Sequence, residues 1–463
     1  MAAATVIFLS SVILLVFFFG RADGFDADAL ICLAAIPLVV FLVSRSSTAG
    51  VLSWLMTPVG ALLGFLWLSV LAVPILWALG LATPWSDYPV DQSTRIVATA
   101  IGAVALIHAG SLGAGNTSRP TTPMSWRSRS GMSRSLFGGV VLILVCFAIL
   151  QSKIGVAFLV GNLLTKRDLL AGLGPLTAVA ACTGVAGLAA WSTRDLCRSE
   201  KLLATACSFG YVSYLFVLGS RLPMVVYVIA IAIARASAGR IPRVLVASVG
   251  LGTIPFTVWY SVSIRKGQLI SQSGTGPRAE AHSVIDPFVY GGLDVLHTFG
   301  AVVTSALSDL SLHLDLLLAN AATMLPRSLL PGKPPGISVV FSERFFGRQW
   351  DGGSGVPPSI TAELLFVFGV VGGLIALPIL GFVLSRVSSV LAISTRPFLR
   401  LIYPFVTVDC IFLAKSGTDA FLQQVSIHIL AVFGFIILST LMGAGPLVER
   451  GKEQCEQTQA SGS

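Results

Sequence analysis

Charged residues are scarce in this sequence. Asp, Glu, Lys and Arg make up 11% of its 463 residues, against about 25% in a soluble domain. That shortage excludes an ordinary soluble chain and points to an integral membrane protein. A mean hydropathy of +0.87 and a hydrophobic fraction of 55% agree. Cysteine is sparse too. Cys32, Cys146, Cys182, Cys207 and Cys410 lie in apolar runs, Cys197 in a short loop and Cys455 near the end. That scatter indicates neither a disulfide framework nor a CxxC metal site. Gly352-Gly353-Ser354-Gly355 lacks the Lys-Ser/Thr that completes a phosphate-binding loop, and reads as a hinge. There is no tandem repeat at a period of roughly 20–50 residues. The N-terminus has no basic lead and no small-residue cleavage site, so its first apolar run is expected to stay as a helix.

The net charge of +9 suggests nucleic acid until the positives are placed. They fall in short loops between apolar runs, where the positive-inside rule accounts for them. No nucleic-acid partner is expected. Runs long enough for a hydrocarbon layer of about 30 Å lie at residues 4–20, 27–44, 58–82, 96–114, 136–151, 168–191, 202–219, 222–238, 244–262, 361–385, 398–415 and 420–443. The expected fold is therefore an all-α polytopic membrane protein of about twelve transmembrane helices, with residues 51–57 as an interfacial lead-in to the third. With the N-terminus inside, sixteen of the 30 lysines and arginines fall in inside loops and seven in short outside loops. Both termini are thus expected to be cytoplasmic.

One long interruption separates the ninth and tenth spans. The expected division is residues 1–262 for nine helices, 263–360 for a large extracytoplasmic loop, 361–443 for the last three helices, and 444–463 for a disordered cytoplasmic tail. The loop's remaining seven basic residues are matched by seven acidic ones. Within it, Pro287 to Leu307 and Leu310 to Leu325 have apolar residues at helical steps and read as amphipathic helices on the membrane face. The Pro- and Gly-rich stretch from Ser328 to Gly355 reads as loop.

Charges at membrane depth are functional candidates by default, and here they gather at the outer level beneath the loop. Arg221 stands in the first turn of the eighth helix, after a Ser220 N-cap and before Pro223. A cation there opposes the helix dipole unless an anion is bound, and a phosphate suits both the free N–H groups and the guanidinium. Its bland alternative is a snorkelling arginine in a hairpin. Arg265 and Lys266, after the ninth helix, are either a second anion site or interfacial anchors. Glu363, in the first turn of the tenth helix, is either a base that orients an acceptor or an acid suited to a Ser359-capped helix start. Asp409 lies six residues before Lys415, about 9 Å along a helix, and either pairs with Lys415 or His428 or relays a proton. His428 alone is more often a core residue, and His108 is the main polar group of the inner half. His282, His297 and His313, with Asp294 and Asp315 nearby, lack the fixed spacing of a metal site. Asp26 and Asp28 resemble a DxD pair but equally serve charge asymmetry.

The layout and three local segments resemble the Wzy-type family of membrane oligosaccharide repeat-unit polymerases, related to the O-antigen ligases. The segments are Gly219-Ser220-Arg221 entering a helix, Tyr290-Gly291-Gly292 before a loop helix, and Pro357-Pro358-Ser359-Ile360-Thr361-Ala362-Glu363-Leu364-Leu365-Phe366-Val367-Phe368-Gly369-Val370-Val371-Gly372. The resemblance implies a glycosyltransferase of the bacterial cytoplasmic membrane. It would join undecaprenyl-pyrophosphate-linked oligosaccharides at the outer leaflet, with lipid pyrophosphate leaving and no cofactor. Its partners would be the lipid-linked substrate, the bilayer, a chain-length regulator and a flippase. Arg221 and Arg265, with Lys266, are then the pyrophosphate candidates, Glu363 the base, and Asp409, His428 and Arg344 supporting residues; the pattern is loose at Arg265, Arg344 and Arg348. Three rivals remain: an O-antigen-ligase-like transferase; a polyprenyl-phosphate-sugar glycosyltransferase using Asp26 or Asp28; and a lipid-linked oligosaccharide flippase, whose polar groups should run through the midplane.

Overall fold

Backbone in hydrocarbon must satisfy its own hydrogen bonds, so apolar runs fold as helices. A computed structural model describes residues 25–46, 51–82, 84, 88–114, 124–126, 129–154, 174–193, 196–218, 221–239, 289, 293, 295–305, 313–323, 330, 332, 334–347, 357–443 and 446–448. In order these form α1 (Phe25–Ser46), α2 (Val51–Leu55), α3 (Pro58–Ala78), α4 (Ser93–Gly113), β1 (Met124–Trp126), α5 (Arg129–Ile154), α6 (Gly174–Trp191), α7 (Arg198–Val217) and α8 (Arg221–Ser237). Then come α9 (Leu296–Ser305), α10 (Leu314–Thr323), α11 (Ile337–Phe346), α12 (Ile360–Ile393), α13 (Pro397–Leu441) and β2 (Pro446–Val448). Among the described residues six helices are long and apolar enough to cross a membrane: α1, α3, α4, α5, α12 and α13. Two shorter apolar helices are α6 and α8. The protein is an all-α membrane protein in its described parts, apart from two three-residue strands. The expected spans 4–20 and 244–262 lie outside the described residues.

The chain divides into two compact units. The first holds residues 1–117, 255–387 and 409–423. Within it the expected lead-in is a separate short helix, α2. Thr57 then caps α3, accepting from the Gly60 N–H at 3.1 Å, with Pro58 at the first helical position. α4 and α12 approach at glycines: a Cβ on Gly110 would strike the Pro378 backbone, and one on Gly381 would strike the Ile107 carbonyl. Small residues allow that closeness, which is how helices associate where lipid removes the hydrophobic drive.

His108 is the polar centre of this packing and is fully buried. Its Nδ1 accepts from Trp67 Nε1 at 3.2 Å. The ring's proton is therefore on Nε2, which donates to Ser46 Oγ at 2.6 Å while that hydroxyl donates to Leu42 O at 2.9 Å. Trp54 stacks on the ring with centroids 5.4 Å apart. Four consecutive helices thus meet on one satisfied imidazole.

The second unit holds residues 118–254, 388–408 and 424–463. Here α5, α6 and α7 pack together and α8 lies against α6 and α7. Tyr227 donates to Gly184 O at 2.8 Å, and Trp191 Nε1 donates to Ser208 Oγ at 3.2 Å. α7 starts with a capping box, in which the Cys197 N–H donates to the Glu200 carboxylate at 2.7 Å. β1 and β2 pair antiparallel, Met124 opposite Val448. Residues 446–448, expected in a disordered tail, are thereby tied to the segment between α4 and α5.

The interruption also differs from expectation. Its first helix is the shorter α9, and Leu296, His297, Thr298, Phe299, Gly300 and Val302 are buried. It packs against α4, with Gly300 close to Ile96, so it is a core helix of the unit. α10 lies within the second expected helix. α11 occupies a stretch expected as loop. Pro334, Pro335 and Gly336 precede it, and Gly347 ends it at φ 55°, the usual stop for a helix.

Candidate functional site

Two glycines organise the site, both in the first unit. Gly369 interrupts α12 at φ 69°, ψ 179°, and Gly417 interrupts α13 at φ 70°, ψ −167°. Side chains are essentially excluded from this backbone region. The break in α12 is a sharp bend, because a Cβ on Gly373 would lie 2.9 Å from Leu365 Cα and 3.1 Å from Leu364 O. The expected span 361–385 is therefore two arms, residues 360–368 and 370–393. In α13 the break falls between the two expected spans, and residues 397–416 and 418–441 are each long enough for the ~20 residues a crossing needs.

A helix break frees backbone groups that burial then requires to be paired. α10 and Glu363 do this. The His313 N–H, just before α10, donates to Val367 O at 2.9 Å at the α12 bend. Beyond Gly417, the Thr418 N–H donates to Glu363 Oε2 at 2.7 Å. The Thr418 hydroxyl donates to Glu363 Oε1. Asn320 of α10 reaches the same place: its Nδ2 donates to Thr418 Oγ1 at 2.5 Å and to Glu363 Oε1 at 3.4 Å. Its Oδ1 accepts the Ile337 N–H at the start of α11 at 3.1 Å. Since only oxygen accepts from that N–H, the amide's orientation is settled. Beside it, Ser338 donates to Asp419 Oδ2 at 3.3 Å.

Glu363 is 1% exposed and Asn320 2%. The short arm of α12 is fixed by Ser359, as expected: its Oγ accepts the Ala362 N–H at 3.3 Å, and its carbonyl accepts the Glu363 N–H at 2.8 Å. Thr298 of α9 accepts the Ser359 N–H at 3.3 Å. One turn along from Glu363, buried Phe366 meets Phe341 and Phe345 of α11 edge-on at 5.5 and 5.4 Å. Arg344 is exposed on α11, its guanidinium 5.8 Å from the Phe366 ring and 3.2 Å from His313 Nε2. A guanidinium only donates, so that nitrogen accepts. The arrangement is a buried carboxylate at a helix break, closed over by three helices of the interruption, with a cation one turn away.

The other expected site residues are dispersed. Arg221 opens α8 as expected, in the second unit, but its side chain lies outside the described residues. So do Arg265 and Lys266. Asp409 is fully buried in α13. His428 is a buried core residue of the second unit, stacked on Phe405 at 4.3 Å. His297 packs on Phe346 at 4.8 Å, and no metal-holding group of His, Cys, Asp and Glu occurs among the described residues. Asp28 is buried against α4 in the first turn of α1. Sequence reasoning missed Asn320 and Thr418. Both left a trace: Ser416-Gly417-Thr418-Asp419 is a polar capping pattern between apolar runs, and Asn320 is a polar residue amid Leu316 to Ala322.

No family model matches the chain, and neither a curated protein nor a solved structure matches it.

Proposed function

We propose that this protein is a membrane glycosyltransferase that polymerises undecaprenyl-pyrophosphate-linked oligosaccharide repeat units at the outer leaflet of a bacterial cytoplasmic membrane. The observation that carries the reading is Glu363, a buried carboxylate that pairs the Gly417 break of α13 and is bonded by Asn320 of α10. In the proposed step an acceptor hydroxyl displaces Asn320 and Thr418 from the carboxylate. Its oxygen bonds to the donor's anomeric carbon as the bond from that carbon to the pyrophosphate oxygen breaks. The hydroxyl proton passes to Glu363 and lipid pyrophosphate leaves. Arg344, beside Phe366 one turn from Glu363, is proposed for the leaving charge together with Arg221, Arg265 and Lys266. Such charge is best stabilised in a site shielded from water, and the donor is already activated, so no cofactor is required.

The reading includes twelve spans with both termini inside. The β1–β2 pairing requires residues 124–126 and 446–448 to share one side, as the charge count proposes. The test is polymer length in cells. Glu363→Gln and Arg221→Ala are expected to abolish long chains and leave single repeat units on the lipid carrier; normal chain lengths in both overturn the assignment.

One observation favours a second reading, a flippase: paired broken helices are common at transporter binding sites. Against it, both breaks are held by helices of the interruption. Repeat units accumulating on the cytoplasmic face in a deletion strain would decide for the flippase.

A further inference from the structure

Asp28 takes no part in that chemistry, yet one of its carboxylate oxygens is buried without a hydrogen-bond partner among the described residues. It is fully buried in the first turn of α1. The Thr94 hydroxyl, in the first turn of α4, donates to Oδ1 at 2.8 Å. The buried Ser93 hydroxyl lies beside the carboxylate. Oδ2 is buried with no hydrogen-bond partner among the described residues.

Among the described residues the surroundings offer no compensating charge. α3 packs along α1 and has no titratable side chain between Pro58 and Ala78; the short α2 has none either. Cys32, one turn on in α1, is a titratable neighbour, and its thiol donates to Val70 O at 3.5 Å. Asp91 and Arg95, beside the first turn of α4, are exposed. An ionised Asp28 would be favoured by two helix N-termini. That gain is smaller than the penalty for burying a carboxylate whose second oxygen nothing pairs. A metal cation fares worse, since one carboxylate and two hydroxyls fall short of its oxygen shell and the same N-termini repel it.

We infer that Asp28 is a proton-binding site, holding its proton on Oδ2 in the resting protein and exchanging it with water past the exposed hydroxyl of Thr94. The proton comes from hydronium and returns to water, so nothing else is consumed. The site is independent of the glycosyltransferase reading.

Infrared difference spectra of the full-length protein in lipid vesicles test it. At neutral pH, wild type minus Asp28→Asn is expected to show the carbonyl band of a protonated carboxylic acid. Carboxylate stretching bands in its place overturn the inference. A hydrophobic carbodiimide, which reacts with the protonated acid, is expected to label Asp28 in wild type, and protection by sodium ions overturns the proton assignment in favour of a cation. Thr94→Val keeps the acid and is a fold-preserving control. Losing a donor to the carboxylate, it is expected to raise the pH at which the acid band disappears, and a midpoint that stays or falls counts against the geometry.

Discussion

Two buried polar centres of the first unit differ in how they are held. His108 is enclosed by α1 to α4, four consecutive helices, where Ser46 and Trp67 match its two ring nitrogens and Trp54 stacks on the ring. Glu363 is held by Asn320 and Thr418. Those donors sit on a short helix of the interruption and at a glycine break, and Thr418 and Asp419 are only half-buried. The first centre has every donor and acceptor matched by rigid spans, which suits a structural lock. The second has donors that, in the proposed step, a substrate hydroxyl replaces. Burial alone therefore does not distinguish the two; the origin of the partners does.

Substitutions can break that contrast. The largest effect is expected at Glu363: Glu363→Gln keeps the size but turns an NH2 toward two donors and removes the base. A loss of about 10²–10⁴-fold in polymer formation is expected for a general base, measured as product chain length at matched protein level. Gly417→Ala comes next. Its Cβ would strike the Glu363 carboxylate, and the backbone region alone costs about 1–3 kcal/mol, so reduced thermal stability in detergent should accompany loss of product. Asn320→Ala leaves the Ile337 N–H unpaired and removes one of the donors to Glu363. About 1–3 kcal/mol of local stability is expected to go, read as faster hydrogen exchange in α11, with partial loss of polymer. The smallest effect is Trp67→Phe, which removes one donor from His108. It should lower stability by roughly 1 kcal/mol and leave chain length unchanged; a large loss of polymer from it would erase the distinction between the centres.

Much of this was legible in the residues. The apolar runs marked α1, α3, α4, α5, α12 and α13 because hydrocarbon leaves helix as the only open choice. Ser359 and Arg221 sit at helix starts where capping logic places them. The Gly369 break was not legible, since glycine is common in membrane helices and nothing local separates a packing glycine such as Gly110 from one at a bend. α11 was hidden by the composition of its neighbours, although Pro334-Pro335-Gly336 before it and Gly347 after it are start and stop signals. The joining of Asn320, Glu363 and Thr418 is a tertiary fact with no sequence period.

The most direct test of the central claim is polymerisation by the purified protein in vesicles, supplied only with a lipid-pyrophosphate-linked repeat unit. The account predicts a ladder of lengthening glycans with release of lipid pyrophosphate from wild type and Trp67→Phe, and neither from Glu363→Gln. A ladder of equal length from Glu363→Gln, or none from well-folded wild type, would contradict it.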